Sequence, residues 1–173
     1  MMGRAARQWI PCILLCMPAS LGVPAQTTPS ASAKVDHVLV FKQKRILQLL
    51  RGQNVVKEYK VALGSSPVGP KMQQGDHKTP EGAYVLDSRN PHSQYYKSIH
   101  ISYPTREQRA TARRRGVSAG GDVFVHGLPN KYHGPQAANR LYDWTDGCIA
   151  VTDREMDEIW NAVSDGTPIE IRP

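Results

Sequence analysis

Tyr142-Asp143-Trp144-Thr145-Asp146-Gly147-Cys148-Ile149-Ala150-Val151-Thr152-Asp153 sets a cysteine behind a glycine and ahead of a short β-branched run, with small and polar residues leading into it. Upstream, Asp122-Val123-Phe124-Val125-His126-Gly127 has the composition of a strand ending on a histidine. A thiol becomes a useful nucleophile when a nearby base or cation favours the thiolate. A cysteine and a histidine at two strand or turn junctions supply that pair if the fold brings them together. Backbone N–H groups around Gly147 and Cys148 could then face a developing oxyanion, because glycine lets the turn approach closely. The plainer alternative is a buried, inert cysteine and a histidine satisfied by its neighbours. Zinc on His126, His133 and Cys148 is the competing chemistry. Neither a close cysteine pair nor a His-Glu-x-x-His helix occurs, so we expect no metal and no cofactor.

Outward from this stretch the pattern is mainly β with a few helices. His37–Phe41, Ile46–Leu50 and Val55–Leu63 read as strands separated by the polar turns 42–45 and 51–54, an antiparallel meander. Gly64 to Thr79 is a long loop with three glycines and two prolines, of the kind that borders a groove. Pro80 and Gly82 turn it into a strand over Ala83–Leu86. Ile99–Tyr103 alternates as a further strand. Pro104 suits the first turn of a helix running to Arg115, with Gly116 as its stop. A short helix is expected near Gln136–Leu141. Thr152 and Glu155 make a capping box, and Met156, Ile159, Trp160 and Val163 recur at helical spacing up to Gly166. Thr167–Ile171 closes the domain. No internal repeat is visible.

The first 25 residues have the form of a signal peptide: Arg4 and Arg7, then an apolar run over Trp9–Met17, then Val23-Pro24-Ala25. Lipid anchoring on Cys16 is disfavoured by the bulk of Leu15. Residues 26–35 read as a flexible leader and 36–173 as one domain, exported across the inner membrane to the periplasm. Export would leave Cys148 as the one thiol of the mature chain, and a lone thiol in an oxidising compartment is either buried and inert or reactive. The net charge of +7 falls to +5 once Arg4 and Arg7 are set aside. Much of it lies in 106–115, which suits a solvated helix or an acidic wall polymer or anionic membrane face better than nucleic acid. Asp146 would raise the thiol pKa, orient a histidine or hold a cationic substrate group. His37, His77 and His92 read as separate polar residues, while His100 could border the groove.

Gly75-Asp76-His77-Lys78-Thr79-Pro80-Glu81-Gly82-Ala83-Tyr84, then Ile101-Ser102-Tyr103-Pro104, Val125-His126-Gly127 and Thr145-Asp146-Gly147-Cys148-Ile149-Ala150 resemble, in that order, the L,D-transpeptidase catalytic domain of the YkuD family. The resemblance runs from about Asp36 to Pro173, and the combination is specific where any one element is weak. It implies a mostly β, sandwich-like domain with Cys148 as the acylated nucleophile and His126 as its base. The Gly127 backbone would orient the imidazole and Gly147 would shape the oxyanion turn. Asp146, Thr145, Tyr103 and His100 would contact the substrate. That substrate would be the peptidoglycan stem peptide, cut after the L-centre of its diamino acid and passed to an amine: a diamino acid, a D-amino acid or a lipoprotein lysine.

Three departures bear on the substrate contacts and the acceptor. Ala150 stands where many members have Arg, Asp146 where His or Arg is common, and the interval from His126 to Cys148 is long. Trp144-Thr145-x-Gly-Cys and His-Gly-Leu-Pro-Asn resemble a subgroup that includes enzymes cleaving protein-to-peptidoglycan links. The expectations to be weighed are therefore a transpeptidase, an amidase that uses water, and a wall-binding module without turnover.

Overall fold

The computed structural model describes residues 34–173. The expected signal peptide, all but two residues of the leader, Cys12 and Cys16 lie outside the described residues. Val35, which the sequence reading assigns to the leader, is buried and its N–H donates to Ala162 O.

The meander is present. β1 (His37–Phe41), β2 (Ile46–Arg51) and β3 (Asn54–Lys60) pair antiparallel in that order. β4 (Gly82–Ser93), β5 (Tyr96–Ile101), β6 (Phe124–His126), β7 (Ile149–Ala150) and β8 (Thr167–Arg172) complete one eight-stranded sheet in the order β3-β2-β1-β8-β4-β5-β6-β7. Two neighbours run parallel, β1 with β8 and β6 with β7. Period-two burial drives the pairing. Leu47 and Leu49 of β2, Tyr84 and Leu86 of β4, and Ile169 and Ile171 of β8 all turn into one apolar core.

The two ends of that strand order also meet. Just after β3, Ala62 and Ala150 exchange N–H···O bonds of 2.9 Å in both directions. Thr145 N–H donates to Leu63 O and Ser65 N–H to Thr145 O. The sheet curls until its first and last members touch, and the cysteine segment lies along this seam. Asp143 pins it there, accepting from Leu63 N–H through Oδ1 and from Arg45 through Oδ2.

Two helices cover the sheet. α1 (Arg106–Arg114) is capped by Thr105, whose side chain accepts from Gln108 N–H while Gln108 returns the bond. Pro104 therefore precedes the cap instead of opening the first turn as expected, because Thr105 can satisfy an amide that Pro104 cannot. Gly116, at φ 72°, does stop the helix. α2 (Asp153–Ala162) has the expected Thr152–Glu155 capping box. It ends at Ala162, ahead of Gly166, which instead turns the chain into β8. Met156, Ile159 and Val163 are core; Trp160 is only partly buried, beneath Arg89 and Lys97.

β4 runs well past the expected Leu86, to Ser93. Its pairing with β8 stops at Leu86, so the outer half has one free edge and tolerates Pro91. Gln94 and Tyr95 form the tip of the β4–β5 hairpin. Asn130 clamps that tip: its amide side chain donates to Ser93 O and accepts from Tyr96 N–H. The short helix near Gln136 is a 3₁₀ turn over Gln136–Arg140.

Candidate active site

A cleft of about 440 Å³ opens where β6 and β7 lie parallel beside the β4–β5 hairpin, and it contains both Cys148 and His126. Val125 pairs with Ile149 and His126 with Ala150. This register puts the histidine at the end of one strand and the cysteine at the mouth of the next. The two junctions singled out in the sequence are thus brought together.

His126 is 3% exposed. Its Nδ1 lies 2.7 Å from Gly127 O, and because a carbonyl only accepts, Nδ1 carries the proton. Nε2 is left with the lone pair that a base needs. Burial depresses the imidazole pKa to about 4, although the Gly127 carbonyl favours the protonated ring. Tyr95 packs on this ring at 4.5 Å between centroids and Trp144 lies edge-on at 5.8 Å. The ring is thereby held in one orientation. Gly127 has a packing reason to lack a side chain, since a Cβ would stand 2.7 Å from Asp153 Oδ1, which accepts from Leu128 N–H.

Cys148 is half-buried. Burial pushes its thiol up to about 11; the Phe124 N–H and the Lys71 charge favour the thiolate, while Asp146 and Asp122 oppose it. At neutral pH the cleft therefore holds a neutral thiol and a neutral imidazole, which suits proton transfer during attack more than a preformed ion pair.

Thr145 is buried and its hydroxyl is fully engaged: it donates to Cys148 O at 2.8 Å and accepts from Gly147 N–H at 3.1 Å. It lines the cleft but acts mainly as the brace of the cysteine turn, and it takes the Gly147 N–H out of reach of a substrate oxygen. Of the two amides expected to face an oxyanion, this leaves the Cys148 N–H as the candidate. Gly147 adopts φ 132°, and a Cβ there would meet Lys78 O at 2.6 Å. We expect Gly147→Ala to lose about 1–3 kcal/mol, the scale of such backbone strain, with a matching fall in the thermal midpoint and loss of site reactivity.

Loop 64–79, expected to border the groove, supplies no lining residue to the cleft; it meets the rim where His77 contacts Asp146, and it is firmly built. Lys42 is buried and donates to Gly69 O, Thr79 O and Glu81 Oε1. Thr79 Oγ1 accepts from Gly64 N–H. A Cβ on Gly64 would clash with His77 O. At the lip, the exposed Asp146 takes a 2.7 Å contact with His77 Nδ1, so it does orient a histidine, though not the one beside the thiol.

Two expected substrate contacts are not brought to the cleft. Tyr103 is buried under the sheet and donates to Ala119 O, its hydroxyl spent on the backbone. His100 shares the Ser98 face of β5 but lies two residues further along, beyond the cleft lining, with Nδ1 2.7 Å from Asp87 and its ring edge-on to the cleft residue Phe124. The residues missed are Tyr95, Asp122 and Phe124, with Ser93 and Ser98 beside them. Only the length of the hairpin, hidden by an apparent strand end at Leu86, would have pointed to Tyr95. Among the described residues no group of His, Cys, Asp and Glu could hold a metal ion.

A model of the YkuD L,D-transpeptidase catalytic domain matches residues 35–171, which includes every element of the sheet but its last residue. The chain belongs to this family. YafK of Escherichia coli K12 is 30% identical over 171 residues, covering 90% of this chain and 60% of YafK, so the chain spans well under two thirds of that relative. The helical cell shape determining protein Pgp2 of Campylobacter jejuni superposes with a TM-score of 0.60 at 25% identity, over 80% of this chain and 48% of Pgp2. The L,D-transpeptidase of Xylanimonas cellulosilytica superposes at 0.51 with 18% identity, covering 81% of this chain and 61% of that one, and shares the fold. In this YkuD domain Ala150 is buried in β7 between His126 and Ala62. It offers the cleft no cation. The interval 128–145 reaches the cleft only through Trp144 and Thr145; Arg140 is turned to Glu155, and Lys131 and His133 are exposed outside it.

Proposed function

We propose that the chain is an exported, periplasmic cysteine L,D-transpeptidase that remodels or cross-links peptidoglycan stem peptides through a Cys148 acyl-enzyme. The observation that carries this reading is a buried imidazole with Nδ1 tied to Gly127 O and its lone pair free, sharing one cleft with a half-buried thiol. His126 Nε2 takes the Sγ proton as sulfur bonds to the carbonyl carbon after the L-centre of the diamino acid. The Cys148 N–H faces the oxyanion. The C–N bond to the terminal residue breaks and its amine leaves with the proton from His126. An incoming amine then attacks the thioester, gives its proton to the imidazole, and the thiol re-forms.

Tyr95 and Trp144 supply apolar walls that limit water at the thioester, and the carboxylates of Asp122 and Asp146 at the rim suit a cationic amine. These support transfer to a diamino acid, a D-amino acid or a lipoprotein lysine. Hydrolysis is the second reading, favoured by the buried Ala150, which leaves the peptide carboxylate without a cation from β7. A tetrapeptide donor offered with and without a diamino-acid or D-amino-acid acceptor should yield the exchanged peptide by mass, in proportion to acceptor. Free tripeptide alone at every acceptor concentration makes the chain a hydrolase. Neither product nor acyl-enzyme with any muropeptide leaves a wall-binding module.

A further inference from the structure

Loop 64–79 carries a charged group to the cysteine turn from below. The Lys71 side chain is 4% exposed. Its stem passes Gly120, where an added Cβ would stand 3.6 Å from Cε, and Nζ ends 3.7 Å from the place a Cβ on Gly147 would occupy. Among the described residues, the hydrogen-bond partner of this ammonium is Asp76 Oδ1, at 2.8 Å. Asp76 is itself shared: Oδ1 also accepts from Lys78 N–H at 3.1 Å, and Oδ2 accepts from Met72 N–H at 2.7 Å and Gln73 N–H at 3.0 Å.

Burial pushes the Asp76 carboxyl up, but the Lys71 ammonium and the three backbone N–H groups outweigh it and hold it at about 2. Three amides already fix this carboxylate in the loop. A lysine buried only to serve it would cost desolvation that a surface lysine avoids. An ammonium has three N–H donors, and the Asp76 bond uses one. Lys71 also lines a small cavity with Tyr103, Glu107 and Thr111, and its Nζ lies against the Gly147–Cys148 turn.

We propose that Lys71 is the buried cation that favours negative charge at the Cys148 turn, a positioning residue held in register by Asp76. The proposal deepens the transpeptidase reading and rests on it for the choice of Cys148 as the group that matters. The charged and titratable groups that act on Sγ are Asp146 and Asp122 at the rim, which disfavour the thiolate, and Lys71 beneath, which favours it. His126 lines the same cleft and is neutral near pH 7. His77 is turned to Asp146. Lys71 is thus the standing positive charge set against two carboxylates.

The test is the rate of alkylation of Cys148 by iodoacetamide across pH 7–9, below the thiol midpoint, followed by peptide-resolved mass spectrometry so that Cys12 and Cys16 do not contribute. It is run on the full chain and on Lys71→Met, Lys71→Arg and Asp76→Asn, each checked by thermal unfolding. Lys71→Met should alkylate about three- to tenfold more slowly at each pH, a tenfold change being what a one-unit rise of the thiol midpoint represents. Lys71→Arg should return the parent profile. Asp76→Asn, which removes the neutralising carboxylate and keeps the ammonium, should alkylate faster than the parent at each pH. The opposite displacements are the signature, because a loop that is merely loosened would shift both variants the same way. Same-direction shifts, or a parent profile in Lys71→Met, overturn the proposal. If Lys71→Met does not fold, Lys71→Gln, uncharged yet able to donate to Asp76, takes its place with the same outcomes. No muropeptide is involved, so the result stands whether or not a stem peptide is turned over.

Discussion

We expect Cys148→Ala to abolish acylation and turnover of a tetrapeptide donor, with thermal unfolding close to that of the parent. The nucleophile is a specific atom and no other thiol lines the cleft. The fold, by contrast, asks little of it. Sγ donates over a long 3.7 Å to Asp122 O and has the Phe124 N–H beside it, whereas the turn is held by Thr145 and the Ala62–Ala150 bridge. Removing one half-buried sulfur costs on the order of 1 kcal/mol. Cys148→Ser should fold equally well and remain inactive, since an alcohol of much higher pKa replaces the thiol. Intact-mass detection of an acyl adduct in parent and variants decides it: turnover at the parent rate in either folded variant ends the assignment.

His126→Gln should slow acylation by about 10²–10⁴-fold, the range of general acid–base groups, and make Cys148 less reactive to iodoacetamide near neutrality. The parent profile has a distinctive shape. With the folded imidazole near 4, the base is unprotonated through pH 5–8, and acylation should fall only as pH approaches about 4, not near the ordinary 6.5. The same shift is a stability statement. The unfolded chain takes up a proton near 6.5 while the folded chain resists until about 4. Stability contributed by the neutral ring is therefore whole above 6.5 and lost as pH falls toward 4. In His126→Gln that part of the acid limb should vanish from thermal midpoints measured between pH 7 and 4. Unchanged acylation in the folded variant would show that His126 is not the base.

The cysteine and histidine were legible because each flanks a glycine, the histidine closing a short apolar run and the cysteine opening one, a signal confined to a few residues. The capping box at Thr152 and the first meander were legible for the same reason. What escaped depends on partners distant in the chain. β4 looked finished at Leu86 because Asp87, Arg89, Asn90 and Pro91 break its apolar alternation, yet β5 supplies the ladder out to Ser93. That hidden extension carries Tyr95 over the histidine. Tyr103 looked like a groove residue by its place in a motif, whereas its hydroxyl is committed to Ala119. Lys71 carried no local mark at all, since burial cannot be read from a lysine set among Gly69, Pro70 and Met72. Thr145 lines the cleft, but whether a hydroxyl serves a ligand or its own turn is decided by geometry alone.

The seam between the residues after β3 and the cysteine segment has a consequence for when the site comes into being. It joins chain segments from near the start and near the end of the domain, and such closures carry a loop entropy that only the strands between them can offset. The turn that aims Cys148 is braced by that closure through Leu63, Ser65 and Ala62. A chain still threading out, or one folded only as far as its meander, has the thiol and the imidazole but no shared cleft to hold them. Bringing Cys148 and His126 into one cleft is thus coupled to completion of the domain and is a property of the finished sheet.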